Sequence, residues 1–437
     1  MRSKVLLATS ALFAASLMGC GGDDDNGQTP APPAKSNEIP TSITSDLTLT
    51  ADQDWLLKGI VHVRAGATLT IEPGTTIKGD KSTLGTLVID PGARIHAEGT
   101  KDEPIVFTSR AEPGDRAPGD WGGVILLGKA PINVPGGKAN VEGIEATAET
   151  EYGGDNPADS SGVLKYVRIE FGGILLSTDN EINGLTFAGV GTGTIVDYVQ
   201  VRYTLDDCFE FFGGTVNAKH LVCTYNQDDG IDWDLGYTGK LQFVVVQQDP
   251  AAVDDTNGFE GDNDAMGTTN APLSEPTIYN ATLVGKNVDV DKQQYAMLLR
   301  RATKASLYNI VATGFEAGVD VRDASTTVSL EGSIFHGNLA QNVAYVETPE
   351  GEGSEKDDDM GFDEVKWFTD GGNVEVDPML LAPYDREAPD FRPKTTLTTG
   401  AVTPPSDGFF DTKASYVGAF SQDDTWLDGA WISFTPH

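Results

Sequence analysis

From Asp46 onward the chain alternates short runs of β-formers with Gly, Pro, Asn and Asp. Thr68-Leu-Thr-Ile-Glu72 and Leu87-Val-Ile-Asp90 are each followed by Pro-Gly, and Ile105-Val-Phe107 and Val124-Ile-Leu-Leu127 continue the series. No stretch of ten residues keeps a capped apolar stripe at the helical period, so the pattern predicts strands and few helices. Glu72-Pro-Gly-Thr-Thr-Ile-Lys-Gly79 and Asp90-Pro-Gly-Ala-Arg-Ile-His-Ala97 read as one phrase repeated after about eighteen residues, a solenoid-like spacing. Further along, Val199-x-Val201-x-Tyr203-x-x-Asp206-Asp207-Cys208-Phe209 returns twenty-two residues later as Leu221-x-Cys223-x-Tyr225-x-x-Asp228-Asp229-Gly230-Ile231.

Similar rungs can be laid at Lys165–Ile169, Leu241–Val245, Tyr279–Leu283 and Tyr308–Ala312. Each is followed by a second strand, which gives a column of Leu185-Thr-Phe187, Phe209-Glu-Phe211, Ile231-Asp-Trp233, Phe259-Glu-Gly261, Met297-Leu-Leu299 and Val319-Asp-Val321. Alternate residues there are large and apolar, as burial of one strand face requires, and the residues between them face outward. Stacked coils of this kind predict an all-β fold, a right-handed parallel β-helix with capped ends. Gly, Asn and Asp at the corners would supply the positive-φ turns. A sandwich or propeller would instead show hairpin turns of the Asn-Gly type. Two irregular stretches, Pro135 to Gly162 and Glu347 to Glu364, are long enough to overhang the coil. The expected organisation is one β-helix domain over 43–437 with a capping region from about 365, where Trp367, Trp426 and Trp431 would close the open end.

Composition changes this picture in two ways. The 437 residues include 50 Gly, which the corners absorb, and Lys+Arg 30 against Asp+Glu 66 gives a net charge of −36. That balance excludes nucleic acid as a leading partner, because phosphate neutralisation needs clustered bases. With 39% apolar residues the chain can still build a sizeable core.

The N-terminus sets the compartment. Met1-Arg2-Ser3-Lys4 is a basic start, and Val5 to Leu17 is an apolar run too short to span a bilayer. Residues 1–19 therefore read as a signal peptide. Leu17-Met18-Gly19-Cys20 resembles the lipobox of bacterial lipoproteins, which implies cleavage before Cys20, acylation of its sulfur and stable anchoring in lipid. Gly21 and Gly22 follow without an acidic retention signal, so the outer membrane is the expected location, facing either the periplasm or the exterior. Residues 20–42, poor in large apolar side chains, read as the lipidated Cys and a flexible tether. Cys208 and Cys223 then remain as an even pair, and in an oxidising envelope a disulfide is the economical reading, with a zinc site including His220 as the alternative.

Gly119-Asp-Trp-Gly-Gly-Val-Ile-Leu-Leu-Gly-Lys-Ala-Pro-Ile-Asn133, Asp207-Cys-Phe-Glu-Phe-Phe-Gly-Gly-Thr-Val216 and Gly408-Phe-Phe-Asp-Thr-Lys-Ala-Ser-Tyr-Val-Gly-Ala-Phe420 resemble a family of poorly characterised bacterial envelope and secreted proteins. The resemblance covers most of the mature chain and implies a parallel β-helix at the cell surface. Asp390-Phe-Arg-Pro393 also resembles the run-out of pectate-lyase-like β-helices.

Candidate chemistry lies in the carboxylates. Stacking places Asp206 by Asp228 and Asp207 by Asp229, with Glu210, Asp232 and Glu260 as an outward column. Like charges opposite one another destabilise a sheet. Such a ladder calls for solvent, altered protonation or a hard cation, and Ca²⁺ is the natural candidate. The metal set is Asp206, Asp228, Glu210, Asp232, Asp234, Glu260, Asp262 and Asp264. No segment matches an EF-hand or a nonapeptide Ca²⁺ repeat, and a solvated acidic face or self-capping Asp corners would give the same pattern.

An enzyme reading uses Asp206, Asp207, Asp228 and Asp229. Asp206-Asp207-Cys208 resembles the paired Asp plus Cys of polygalacturonase-type glycosidases, but no Gly-His-Gly or Arg-Ile-Lys follows. Arg300, Arg301 and Lys304 could neutralise a uronate in a lyase, although pairing with the acidic column is the simpler role. His62, His96 and His336 sit singly in strand-like runs. No nucleotide or redox cofactor motif is present. The expectation is an envelope lipoprotein that binds an envelope protein or a glycan through an acidic, Ca²⁺-binding face, with a polysaccharide hydrolase or lyase as the alternative.

Overall fold

The computed structural model describes residues 37–435, apart from 178–179, 253–255, 289–293, 347, 349–350, 352–355 and 357. The signal peptide 1–19, Cys20 and the tether as far as Ser36 lie outside the described residues, as does part of the 347–364 stretch.

The described strands stack as a parallel β-helix. One face is a ten-stranded parallel sheet running from Ser42–Ile43 to Ala317–Val321, a fourteen-stranded sheet folds around the remaining two sides, and three two-stranded antiparallel pairs lie outside the coil. In the first coils those two sides are separate strands, such as Thr68–Ile71 and Thr76–Gly79. From Gly162–Glu170 onward they fuse into single bent strands: Ile195–Arg202, Asn217–Thr224, Lys240–Gln247, Thr277–Val284 and Ser306–Thr313.

The bend has an identifiable cause. Tyr166, Tyr198, His220, Phe243, Asn280 and Asn309 occupy one column and all have φ between 50° and 62°. Left-handed backbone costs an L-residue roughly 1–2 kcal/mol, which Asn tolerates best. The aromatic members offset it by stacking: Tyr166 on Tyr198 at 4.5 Å, Tyr198 on His220 at 4.1 Å and His220 on Phe243 at 4.9 Å. The corners therefore use aromatic residues as well as the expected Gly, Asn and Asp. His220 is held there with Nδ1 2.7 Å from Asp197, and the two cysteines that a zinc site with it would need are joined to each other.

The eighteen-residue phrase does not measure a coil. Thr68 pairs with Arg94, so a coil at this end is 26 residues long. Glu72-Pro-Gly turns Thr68–Ile71 into Thr76–Gly79, whereas Asp90-Pro-Gly turns Thr86–Ile89 into Arg94–Glu98. Gly74 at φ 79° and Gly92 at φ 91° serve different corners, because the same backbone turn suits both. The central repeat is in register as expected, with Val199 opposite Leu221 and Val201 opposite Cys223. The column Leu185, Phe209, Ile231, Phe259, Met297 and Val319 is also continuous and buried.

Gly123–Leu127 is buried on both faces. Val124 and Leu126 point into the coil. Val88, Ile125, Leu127 and Ala188 point outward and are covered by Ile132, Val141, Tyr152 and Ile182 of the overhanging segments. The helix Glu364–Asp370, capped by Asp363, closes the last coil by packing Phe368 on Phe335 at 4.8 Å. Trp367 lies at that end, with its indole N–H donating to Val328. Trp426 and Trp431 instead lie on a side, against His220 at 5.1 Å and Tyr198 at 5.5 Å. Residues 380–435 are laid over the bent strands, where an apolar strip and a row of amides would otherwise face solvent.

Cys208 and Cys223 form a disulfide, with Cα atoms 5.7 Å apart, that ties one corner to the strand of the next coil. It closes a 15-residue separation. Replacing both by Ala is expected to cost about 3 kcal/mol. An unchanged denaturant midpoint would contradict that.

Candidate metal centre

The carboxylates gather where a bent strand turns into the ten-stranded face. After Ile195–Arg202 the chain passes through Tyr203 and the Asp206-Asp207 corner into Phe209–Phe212, and after Asn217–Thr224 it repeats this through Tyr225 and Asp228-Asp229 into Ile231–Asp234. Tyr203 and Tyr225 both have positive φ and stack at 4.4 Å, which sets one corner directly over the next.

Side chains then lock the corners together. Asp207 Oδ1 accepts the Asp229 backbone N–H at 2.8 Å, Asp229 Oδ1 accepts the Asn257 N–H, and Asn257 Oδ1 accepts the Tyr295 N–H at 3.1 Å. Asn257 continues a column that the Asp-Asp repeat does not reveal, because its coil carries Asn in place of Asp.

On the adjoining strands Glu210 pairs in register with Asp232, and Asp232 with Glu260. Two triads result: Asp206, Asp207 and Asp228, and Asp207, Glu210 and Asp232. Within each triad the oxygens lie within 4.8 Å of one another. Asp207 belongs to both. Asp207 and Glu210 are buried, while Asp206, Asp228 and Asp232 are part-exposed. Asn183 donates its amide to Glu210.

Positive charge stops short of this group. Arg300 pairs with Glu260 and with Asp262 at 3.0 Å, and Arg301 with Asp262 at 2.6 Å. Lys304 pairs with Glu275 at 2.9 Å. Among the described residues no Lys or Arg forms an ion pair with Asp206, Asp207, Glu210 or Asp232. Burial pushes Asp206 up to about 7, with the charges of Glu181 and Glu142 adding to it. Asp207 is held well above the usual carboxylate range by burial and then by Asp206 and Asp228. Glu210 and Asp232 are raised by burial and by their column neighbours. Desolvation disfavours the charged form, and like charges add to the same shift.

The eight expected ligands separate accordingly. Asp206, Asp228, Glu210 and Asp232 meet around Asp207, which the sequence placed only among catalytic candidates. Glu260 adjoins them but is shared with Arg300, and Asp262 is taken by both arginines. Asp234 accepts the Leu235 N–H, and Asp264 closes a turn onto Met266 N–H and Thr268 N–H, both at 3.0 Å. Of the four catalytic candidates, Asp206, Asp207 and Asp228 converge, whereas Asp229 is turned to the next coil. Glu142, from the overhang, and Glu181, from the antiparallel pair Ile174–Ser177 and Asn180–Ile182, complete the negative surroundings. No spacing in the sequence connects them to the repeat.

The residues present suit a hard divalent cation: all-oxygen, several carboxylates and no thiolate or imidazole. A bound ion would replace protons on the raised carboxylates and remove the repulsion between stacked coils.

A cavity of about 690 Å³ lies elsewhere, beneath the overhang, and contains none of these carboxylates.

Residues 41–373 match the family model described as a pectate-lyase-like beta helix domain. No curated protein and no solved structure matches the chain.

Proposed function

The chain belongs to the pectate-lyase-like β-helix family, and for it we propose a role in cation-dependent recognition at the bacterial cell envelope. The carrying observation is the pair of triads that share Asp207, buried or part-buried, while the neighbouring arginines form their ion pairs with Glu260 and Asp262. In this reading Ca²⁺ is held by Asp206, Asp207, Asp228, Glu210 and Asp232. It fixes two successive corners and presents the adjoining face to a protein or glycan of the envelope. Calorimetric titration of EDTA-dialysed protein is the test: Ca²⁺ should bind and raise the melting temperature by several degrees, with Mg²⁺ weaker. A melting temperature indifferent to EDTA and Ca²⁺ would sink the proposal.

Anchoring through acylated Cys20 belongs to the same reading and is supported by the leader and lipobox-like residues. Cys20→Ser should move the protein from the outer-membrane fraction to the soluble fraction. Retention in the membrane would refute the anchor.

One observation favours a polysaccharide-active alternative. Asp206, part-exposed and pushed up to about 7, is poised as a proton donor at neutral pH. A lyase is less well supported, because the arginines that could neutralise a uronate are engaged with Glu260 and Asp262. New reducing ends or unsaturated uronates from a glycan panel, abolished by Asp207→Asn with folding retained, would replace the binding reading.

A further inference from the structure

The cavity beneath the overhang is set by backbone contacts. Gly153 N–H donates to Gly128 at 3.0 Å and Asn156 N–H to Lys129 at 3.0 Å, so the segment after Tyr152 is tied to the strand end that carries Lys129. Lys129 N–H in turn donates to Asp159 at 2.9 Å. The ammonium of Lys129 reaches over the Asp90-Pro-Gly corner. A Cβ at Gly92 would lie 2.7 Å from Lys129 Nζ, which places that ammonium directly over the corner. Asp90, 1% exposed, holds Arg64 on the same wall at 2.9 Å.

Most charges around the cavity are paired: Arg64 with Asp90 and, at 3.6 Å, with Glu149, and Lys138 with Glu151 at 3.0 Å. Two are not. Among the described residues the Lys129 ammonium and the Asp155 carboxylate have no ion pair or side-chain hydrogen bond, with each other or with anything else, although both line this one cavity. An unpaired cation and an unpaired anion lining one cavity complement a ligand with one charge of each sign. A polyanion is opposed at long range by the net charge of −36, whereas a neutral zwitterion is not. The lining holds no aromatic ring on which a sugar could stack. The volume falls within the range of small-ligand sites.

We propose that this cavity binds a short zwitterionic peptide, its terminal carboxylate on Lys129 with Arg64 adjoining and its terminal ammonium on Asp155. The proposal stands independently of the cation centre. Calorimetry with trialanine, its C-terminal amide and its N-acetyl form tests it on the whole folded chain. Trialanine should bind saturably. Amidation and acetylation should each weaken binding about tenfold, the loss expected for one charge-assisted contact. Lys129→Gln should bind the free acid and the amide equally, and Asp155→Asn should bind the free and acetylated amines equally, with melting temperatures unchanged. Both side chains are exposed, so the variants are expected to fold. The proposal is overturned if trialanine fails to bind at millimolar concentration, if blocked and free forms bind alike, or if a uronate oligomer binds through Lys129 while trialanine does not.

Discussion

Stripped of divalent cations, the protein is expected to melt at a higher temperature at pH 5 than at pH 8, the reverse of the usual acid destabilisation. Asp206 and Asp234 are pushed up to about 7, and Asp207, Glu210 and Asp232 are held well above the ordinary range. Between an ordinary carboxylate pKa near 4 and these raised values, the native state binds more protons than the unfolded chain. Stability therefore falls as pH rises through that window. Between pH 5 and pH 8 a group raised from 3.8 to about 7 loses about 3 kcal/mol, which in a chain of this length is a shift on the order of 3 °C.

Ca²⁺ should restore the stability at pH 8, because the ion takes the place of the protons. Asp207→Asn should do the two things a shared ligand implies. It should raise the metal-free melting temperature at pH 8, by removing a buried charge, and it should abolish the response to Ca²⁺. Differential scanning calorimetry at both pH values, with EDTA and with Ca²⁺, reads all four conditions. A metal-free melting temperature that is flat across this range, or an Asp207→Asn protein still stabilised by Ca²⁺, would count against the centre.

Ending the chain after Met379 should leave a protein that aggregates or fails to unfold cooperatively. The removed segment buries Phe391, Val417, Phe420 and Trp431 against Val222, Val245, Val284 and Val311 of the bent strands. It also satisfies a row of coil amides. Gln200 exchanges two hydrogen bonds with Ser433, both at 2.9 Å. Asn309 does the same with Val402 at 2.7 and 2.8 Å, and Asn280 donates to Tyr416 at 2.7 Å. Losing one large buried aromatic typically costs about 3–5 kcal/mol, and several together exceed the net stability of most domains. The milder Trp431→Ala keeps the chain intact and should cost about 3–5 kcal/mol in a chemical melt. A soluble truncated protein with the parent melting temperature would show that the segment merely rests on the coil.

The repeat around Asp206 was readable as residues because two successive corners carry the same phrase, with 22 residues between Asp207 and Asp229; the next step, 28 residues from Asp229 to Asn257, breaks the spacing and hides the continuation. Period-two burial then fixed which residues enter the core: Phe209, Ile231 and Phe259 face inward, and Glu210, Asp232 and Glu260 face outward. The Pro-Gly phrase misled because a tight turn is a local solution, used at any corner whatever the coil length. Trp426 and Trp431 were misplaced for a related reason. Nothing local distinguishes a segment that caps an end from one that lies along a side.

What the sequence determined by itself was therefore the coil, its strand faces, the disulfide pair and the column of outward carboxylates, all products of short-range alternation and of one phrase repeated at successive corners. Only the tertiary structure decided which carboxylates share one space. It brings Glu142, Glu181 and Asn183 to the corner from separate segments, spends Asp229 on the next backbone, and delivers Arg300 into ion pairs with Glu260 and Asp262, while among the described residues no Lys or Arg forms one with Asp206, Asp207, Glu210 or Asp232. Charge neutralisation acts over a few ångströms between residues distant in the chain, so no periodicity records it.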